Sequence, residues 1–436
     1  MATLTLSLFC MILLGCVLLD ISILYALLAG LLLFLAYGLY KRVPLRELMQ
    51  LSLSGVKTAS GILIMMALIG ALTALWRASG TIAVIICYAS RLIRPSVFLL
   101  LCFLLNCGVS VLTGTAFGTV ATIGIICMTM ANTMQMDPVW IGGAILAGAF
   151  FGDRCSPIST SALLVCTLTD TDLFQNIRRM CWTVLLPFLL SCGVYLLVGL
   201  NSHPADSGMD IRALFAEGFQ LHWICVLPAL AVLILSFFRR PVLLTLSVSL
   251  LLAAVLSITV QGLSLPQVLR ILFAGYRSSS PALAPMVDGG GVVSMLSVIG
   301  IILISSCYAG IFRGTGLLDG AKHSLVQISR RITPFGATFC SAVVTCAISC
   351  NQTLAAMLTN QLCSDLSESK ESFAIDLEDT VIVIAPLIPW SIASSVPLTT
   401  LGVPVKSLLA ACLLYLLPLS RFAKALVQKK KSEALC

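Results

Sequence analysis

Residues Gly148 to Thr160 read GAFFGDRCSPIST. An apolar run, Val139 to Phe151, leads into this stretch, and another, Ala162 to Leu168, leads out of it. Asp153 and Arg154 therefore sit inside sequence that otherwise reads as hydrocarbon-spanning. The glycines before them and Pro157 after them predict a broken helix rather than a continuous one. A broken apolar segment that carries charge is the usual mark of an ion or substrate site within a membrane. The plainer reading is a short polar loop at the membrane surface.

Composition decides the wider class. The chain has 436 residues, 59% hydrophobic and only 10% charged, with a mean hydropathy of +1.06. A soluble domain carries about 25% charged residues. The apolar runs are long and do not alternate, which excludes a membrane β-barrel with its alternating strands of about 10 residues. The fold class expected is an all-α polytopic membrane protein with roughly 10–12 transmembrane segments.

The net charge of +8 does not mark a nucleic-acid binder, because the basic residues are scattered between apolar runs. One cluster closes the chain: Arg421, Lys424, Lys429, Lys430 and Lys431. A basic tail after the last span predicts a cytoplasmic C-terminus. Most of the 18 cysteines lie in apolar runs, where they act as small hydrophobes, and the chain has only three histidines. Neither a zinc site nor a disulfide framework is expected. Met1 to Asp20 lack a basic n-region and read as a first span rather than a cleavable signal. No cofactor is expected, and with no phosphate-binding glycine loop ATP-driven transport has no support.

Spans and loops divide the chain as follows. Residues 1–43 read as an N-terminal transmembrane hairpin with a turn at Asp20. Residues 44–200 read as a first transmembrane repeat, opening with an amphipathic stretch and including a cytoplasmic edge at Arg91 and Arg94. Residues 201–264 form a polar connector and two linking spans separated by Arg239 and Arg240. Residues 265–425 read as a second repeat, and 426–436 as a basic cytoplasmic tail.

The repeat rests on four landmarks. Gly55 and Gly275 lie 220 residues apart; Arg77 in WRASG and Arg313 in FRGTG lie 236 apart. Thr115 in TGTAFGT and Asn351 in SCNQT also differ by 236, and Pro157 and Pro389 by 232. Each half thus carries an Arg-Gly element and then two polar breaks. Paired broken segments are the expected sign of a secondary transporter.

Helix breaks within a bilayer free backbone groups that must bind something. Thr113, Thr115, Ser156, Ser159, Thr160, Ser349, Asn351, Gln352 and Thr353 supply compact oxygens at the breaks. Freed helix N-termini attract anions, and hydroxyls and carbonyls suit sodium. Asp153 is the leading candidate, a shielded carboxylate able to alternate between a proton and a cation. Asp153, Thr115 and Asn351 form the candidate sodium set. Arg154 either pairs with Asp153 or snorkels to the surface. Glu378 and Asp379 read first as N-terminal helix charges at the membrane edge, with a transport role second. Arg77 and Arg313 end helices. An intramembrane hydrolase lacks a nucleophile–base pair in this sequence, so no catalytic residue is assigned.

Four stretches carry a family resemblance: IGALTALWRASGT (69–81), SVLTGTAFGTVATIG (110–124), GAILAGAFFGDRCSPIS (143–159) and LEDTVIVIAPLIPWSIASSVPLTTLGV (377–403). Together they resemble the NhaC-type sodium/proton antiporter family, over about Pro44 to Leu416. The resemblance implies exchange of sodium for protons across a bacterial cytoplasmic membrane. For related members it implies exchange of organic anions such as malate and lactate, and an amino-acid exchanger is a neighbouring alternative. It also implies two inverted repeats with discontinuous helices and re-entrant hairpins, assembled as a homodimer in the lipid bilayer. The family run SPLSDTT is here Ser156-Pro157-Ile158-Ser159-Thr160-Ser161, so Thr160 stands where the family has a second acidic residue.

Overall fold

The computed structural model describes residues 2–19, 21–58, 60–89, 95–201, 211–238, 240–280, 283–315, 333–367 and 369–435. The expected features at Asp20, Arg91, Arg94 and Arg239 lie outside the described residues, as do nine residues of the connector, 202–210.

The first half holds α1 (Ala2–Leu18), α2 (Ile23–Tyr40), α3 (Leu45–Thr58), α4 (Ser60–Ala78) and α5 (Thr81–Ala89). It continues with α6 (Pro95–Thr113), α7 (Ala116–Thr133), α8 (Pro138–Cys155), α9 (Thr160–Thr169) and α10 (Leu173–Asn201). After a short α11 (Ile211–Gly218) come α12 (Trp223–Phe237), α13 (Val242–Thr259), α14 (Leu265–Ala274) and α15 (Leu296–Thr315). The chain ends with α16 (Pro334–Ser349), α17 (Gln352–Cys363), α18 (Lys370–Leu387), α19 (Ile392–Leu401) and α20 (Cys412–Leu435). Among the described residues the only β-pairing is an isolated bridge between Tyr276 and Gly289. Seven described helices are long and apolar enough to cross a membrane. A chain this apolar satisfies its backbone groups within helices because hydrocarbon offers no partners. The protein is an all-α polytopic membrane protein.

Element bounds recur along the chain. Thr160–Thr169 and Ile392–Leu401 start 232 residues apart and have the same length. A proline turn precedes each one. The Ser159 amide donates to the Ser156 carbonyl at 3.1 Å, and the Ser391 amide to the Ile388 carbonyl at 2.9 Å. Both serines then cap their helices, accepting from the amides of Ser161 and Ala393. Both helices end on a left-handed residue, Asp170 and Gly402. The bounds of α8 and α18 coincide at the same offset.

Gly114 and Cys350, 236 apart, are both left-handed, at φ 67° and 55°. The next residues, Thr115 and Asn351, both cap the following helix. These positions are the tips of two helical hairpins. In the first, hydrogen bonds join Thr113 to Thr119 and Asn106 to Cys127, so α6 and α7 run antiparallel. In the second, Thr345 meets Thr359 and Ser341 meets Cys363 across α16 and α17. The arms of the second hairpin, 16 and 12 residues, reach about 24 and 18 Å, short of a hydrocarbon core of about 30 Å.

The halves interlock. Amphipathic α3 packs on α15 of the other half, and its counterpart α14 packs on α4. Helices α10 and α20, which follow α9 and α19 in the two halves, run antiparallel: Tyr195 donates to Ala410, while Thr183 lies at the Asp379 side chain that Arg421 also binds. Equivalent helices pointing in opposite directions are the arrangement of an inverted repeat.

The glycines of the opening stretch do not break the helix as the sequence suggests. Helix α8 is continuous through Gly148, Gly152, Asp153 and Cys155, and the break falls at 156–159. Its glycines serve close packing instead. A Cβ on Gly148 would lie 2.6 Å from the Phe103 carbonyl oxygen. One on Gly152 would strike the backbone of Ser110, whose hydroxyl donates to the Ala149 carbonyl. Small residues four apart let helix backbones touch in lipid, where apolar burial supplies no driving force.

Candidate functional site

A cavity of about 150 Å³ lies where the four polar breaks meet. The first hairpin contributes Thr115, Ala116 and Phe117, and the second Asn351, Gln352 and Thr353. Asp153 with Thr160 and Ser161 comes from the α8–α9 break, and Ile392 with Ala393 from the α18–α19 break. Ile62 and Met65 of α4 and Phe150 of α8 close the walls.

Asp153 is 6% exposed. Its Oδ2 accepts from the Ser161 hydroxyl at 2.8 Å and from Gln352 Nε2 at 3.0 Å. Donors from two breaks, one in each half of the chain, thus converge on one side chain. Helices α7, α9, α17 and α19 all begin at the cavity, so four positive helix ends surround it.

The other expected site residues divide. Thr160, Thr115, Asn351, Gln352 and Thr353 line the cavity with Asp153. Thr115 Oγ1 and Asn351 Oδ1, both in the expected sodium set, already accept backbone amides as helix caps. Thr113, Ser156 and Ser159 do not line it. Thr113 meets Thr119; the Ser156 hydroxyl donates to the Val111 carbonyl and the Ser159 hydroxyl to that of Asp153. These hydroxyls hold the breaks in shape. Ser161, Phe150, Ile62 and Met65 were not singled out as site residues from sequence. Ser161 was legible in principle, two residues past a capping serine on the first turn of α9. The apolar wall residues carry no such signal.

Arg154 departs from both expected arrangements. It is 1% exposed, so it does not snorkel, and it points away from Asp153. Its guanidinium pairs with Asp379 and donates to Thr183 at 2.8 Å. Glu378 and Asp379 are not N-terminal charges at a membrane edge. They lie before the Thr380 irregularity within α18, 1% and 0% exposed. Arg421 binds Asp376 at 2.8 Å and Asp379 at 3.0 Å, closing a chain Arg154–Asp379–Arg421–Asp376. An unpaired arginine inside a bilayer is costly, and this chain removes that cost. Arg77 ends α4 as expected, donating to the Asp288 carbonyl at 2.8 Å beside a second cavity of about 340 Å³. The side chain of Arg313 lies outside the described residues.

Discontinuous helices in two inverted halves, meeting at a buried carboxylate, define a secondary transporter. Comparison with known proteins gives the family: the Na+/H+ antiporter family matches residues 3–198 and 163–423. The chain belongs to that family. It is 29% identical over 380 residues to the Na(+)/H(+) antiporter NhaC of Alkalihalophilus pseudofirmus, covering 85% of this chain and 82% of the relative. It is 24% identical to the malate-2H(+)/Na(+)-lactate antiporter of Bacillus subtilis, covering 86% and 82%. It is 26% identical to the arginine/ornithine antiporter ArcD of Halobacterium salinarum, covering 80% and 75%. The protein is therefore an antiporter and not an enzyme, and the hydrolase alternative is set aside.

Proposed function

We propose that this antiporter exchanges sodium for protons, with Asp153 as the ion-binding carboxylate. The observation that carries the reading is the convergence of four helix breaks on Asp153, the one acidic side chain among the described residues lining the cavity. The hydroxyls of Thr160 and Ser161 and the amide oxygen of Gln352 supply further oxygens. The reading places the protein in the cytoplasmic membrane as a homodimer, with the basic end of α20 in the cytoplasm. The duplication extends to the termini on this reading. The α12–α13 hairpin matches α1–α2, and the two halves meet near residue 210.

A second reading is exchange of a small organic anion or an amino acid. Four positive helix ends around the cavity favour a carboxylate-bearing solute over a bare cation. Purified protein in liposomes with a preset pH gradient separates the two. Sodium alone is expected to discharge the gradient, and Asp153→Asn to abolish that discharge while the protein stays monodisperse. Discharge by malate, lactate or arginine but not by sodium would transfer the assignment to the second reading. An active Asp153→Asn protein would remove Asp153 from its role.

A further inference from the structure

The second cavity, beside Arg77, is walled by three of the helices that wall the first. Met65 of α4 lines the Asp153 cavity, and Thr73 and Arg77 of the same helix line the second. Helix α7 gives Phe117 to the first and Ile125 to the second, and α19 gives Ala393 and Thr399. At about 1.5 Å of rise per residue, the two lined stretches lie about 9 Å apart along α19 and about 12 Å apart along α4 and α7. Three helices thus agree on one axis joining the two cavities. The second cavity sits at their C-terminal ends, and Asn132 and Thr399 on its walls are exposed. The charge of Arg77 there is offset by Asp288 and by three negative helix ends.

Between the cavities α4, α19 and a π turn of α7, Val120–Gly124, pack on one another. Helical periodicity puts one residue of each helix midway along the shared face. Ile69 is four residues from both Met65 and Thr73, Ala121 four from both Phe117 and Ile125, and Val396 three from both Ala393 and Thr399. Ile69 and Ala121 are 0% exposed and Val396 1%. The partition is therefore a thin apolar layer, and two features of it are unusual. The hydroxyl of Ser395, next to Val396, is buried without a hydrogen-bond partner, which is unfavourable unless something polar comes to it. The π turn interrupts the regular helical ladder, and such turns concentrate at functional positions.

Resting on the reading of the Asp153 cavity as the place of exchange, we propose that the second cavity is the vestibule by which the transported ion enters it from one face of the membrane. Ile69, Ala121 and Val396 are the gate, which this structure holds shut. Movement of α19 away from the π turn opens the layer, and the Ser395 hydroxyl then offers an oxygen to the ion or water in passage. The route is the same whether the ion is sodium or a carboxylate-bearing solute.

Thiol labelling in a cysteine-depleted background, with the protein in one orientation in liposomes, tests the route. Thr399→Cys is expected to react with an impermeant methanethiosulfonate from one face only. The modified protein is expected to discharge a pH gradient about tenfold more slowly or less, with whichever of sodium, malate, lactate or arginine drives it. Thr160→Cys, in the Asp153 cavity, is expected to react from that same face, and about tenfold faster once Val396→Ala thins the partition. Thr399→Cys that is inert from both faces, or fully modified without loss of transport, overturns the proposal. So does reaction of Thr160→Cys from the opposite face only, or at a rate that Val396→Ala leaves unchanged. An Asp153→Asn protein that still transports, and is blocked through Thr399→Cys, overturns the reading of Asp153 and leaves the route standing.

Discussion

At the scale of single residues, the site depends on side chains that orient Asp153. Gln352 Nε2 reaches across from the other half of the chain to its Oδ2. One such bond is worth about 1 kcal/mol, so Gln352→Ala is expected to raise the half-saturating sodium concentration about fivefold. Sodium-dependent proton fluxes in liposomes would read this directly, and an unchanged half-saturation would remove Gln352 from the site. Arg154 has a different task. Arg154→Met leaves Asp379 with one guanidinium fewer inside the protein, and breaking such a buried pair costs about 3–5 kcal/mol. A large fall in melting temperature in detergent is expected, partly recovered by adding Asp379→Asn. Additive losses in the double variant would show that the pair is not coupled.

At the scale of elements, the α6–α8 contact rests on glycine. Gly152→Ala drives a methyl group into the Ser110 backbone, and overpacking of this kind costs about 1–3 kcal/mol. Gly193, within α10, meets nothing within 4 Å, so Gly193→Ala is expected to stabilise by up to about 1 kcal/mol. Thermal unfolding of the two variants should move in opposite directions. The four breaks were legible in the sequence because their causes are local: Pro157 and Pro389 in turns, small hydroxyl-rich runs, and capping residues at Thr115 and Asn351. Helix length and the packing role of Gly148 and Gly152 were not legible. A glycine that breaks a helix and one that admits a neighbour look the same until the neighbour is known. The partner of Arg154 lies 225 residues away, beyond the reach of any local pattern.

At the scale of the whole molecule, a near-symmetric scaffold carries an asymmetric set of charges. At the 232 offset Asp153 corresponds to Ala385, Arg154 to Pro386, Asp379 to Ala147 and Arg421 to Leu189. The duplicated backbone supplies the cavity, and one half alone supplies each charge. Antiparallel α10 and α20 point their C-terminal ends in opposite directions. In a cysteine-depleted background, one of Asn201→Cys and Gln428→Cys should react with an impermeant maleimide in intact cells, and the other only in inverted membrane vesicles. Labelling of both positions in the same preparation and of neither in the other would contradict the inverted arrangement.

The Arg154–Asp379–Arg421 chain also constrains how the protein is made. Arg154 emerges from the ribosome 225 residues before Asp379. At about 5–20 residues per second, that interval is about 10–45 s. During it, α8 carries an arginine without its final counter-charge, so its settling between helices has to wait for α18 and α20. A messenger truncated before Arg421 would therefore yield a chain recognised as unfinished and degraded, even though every helix around the cavity had already been synthesised.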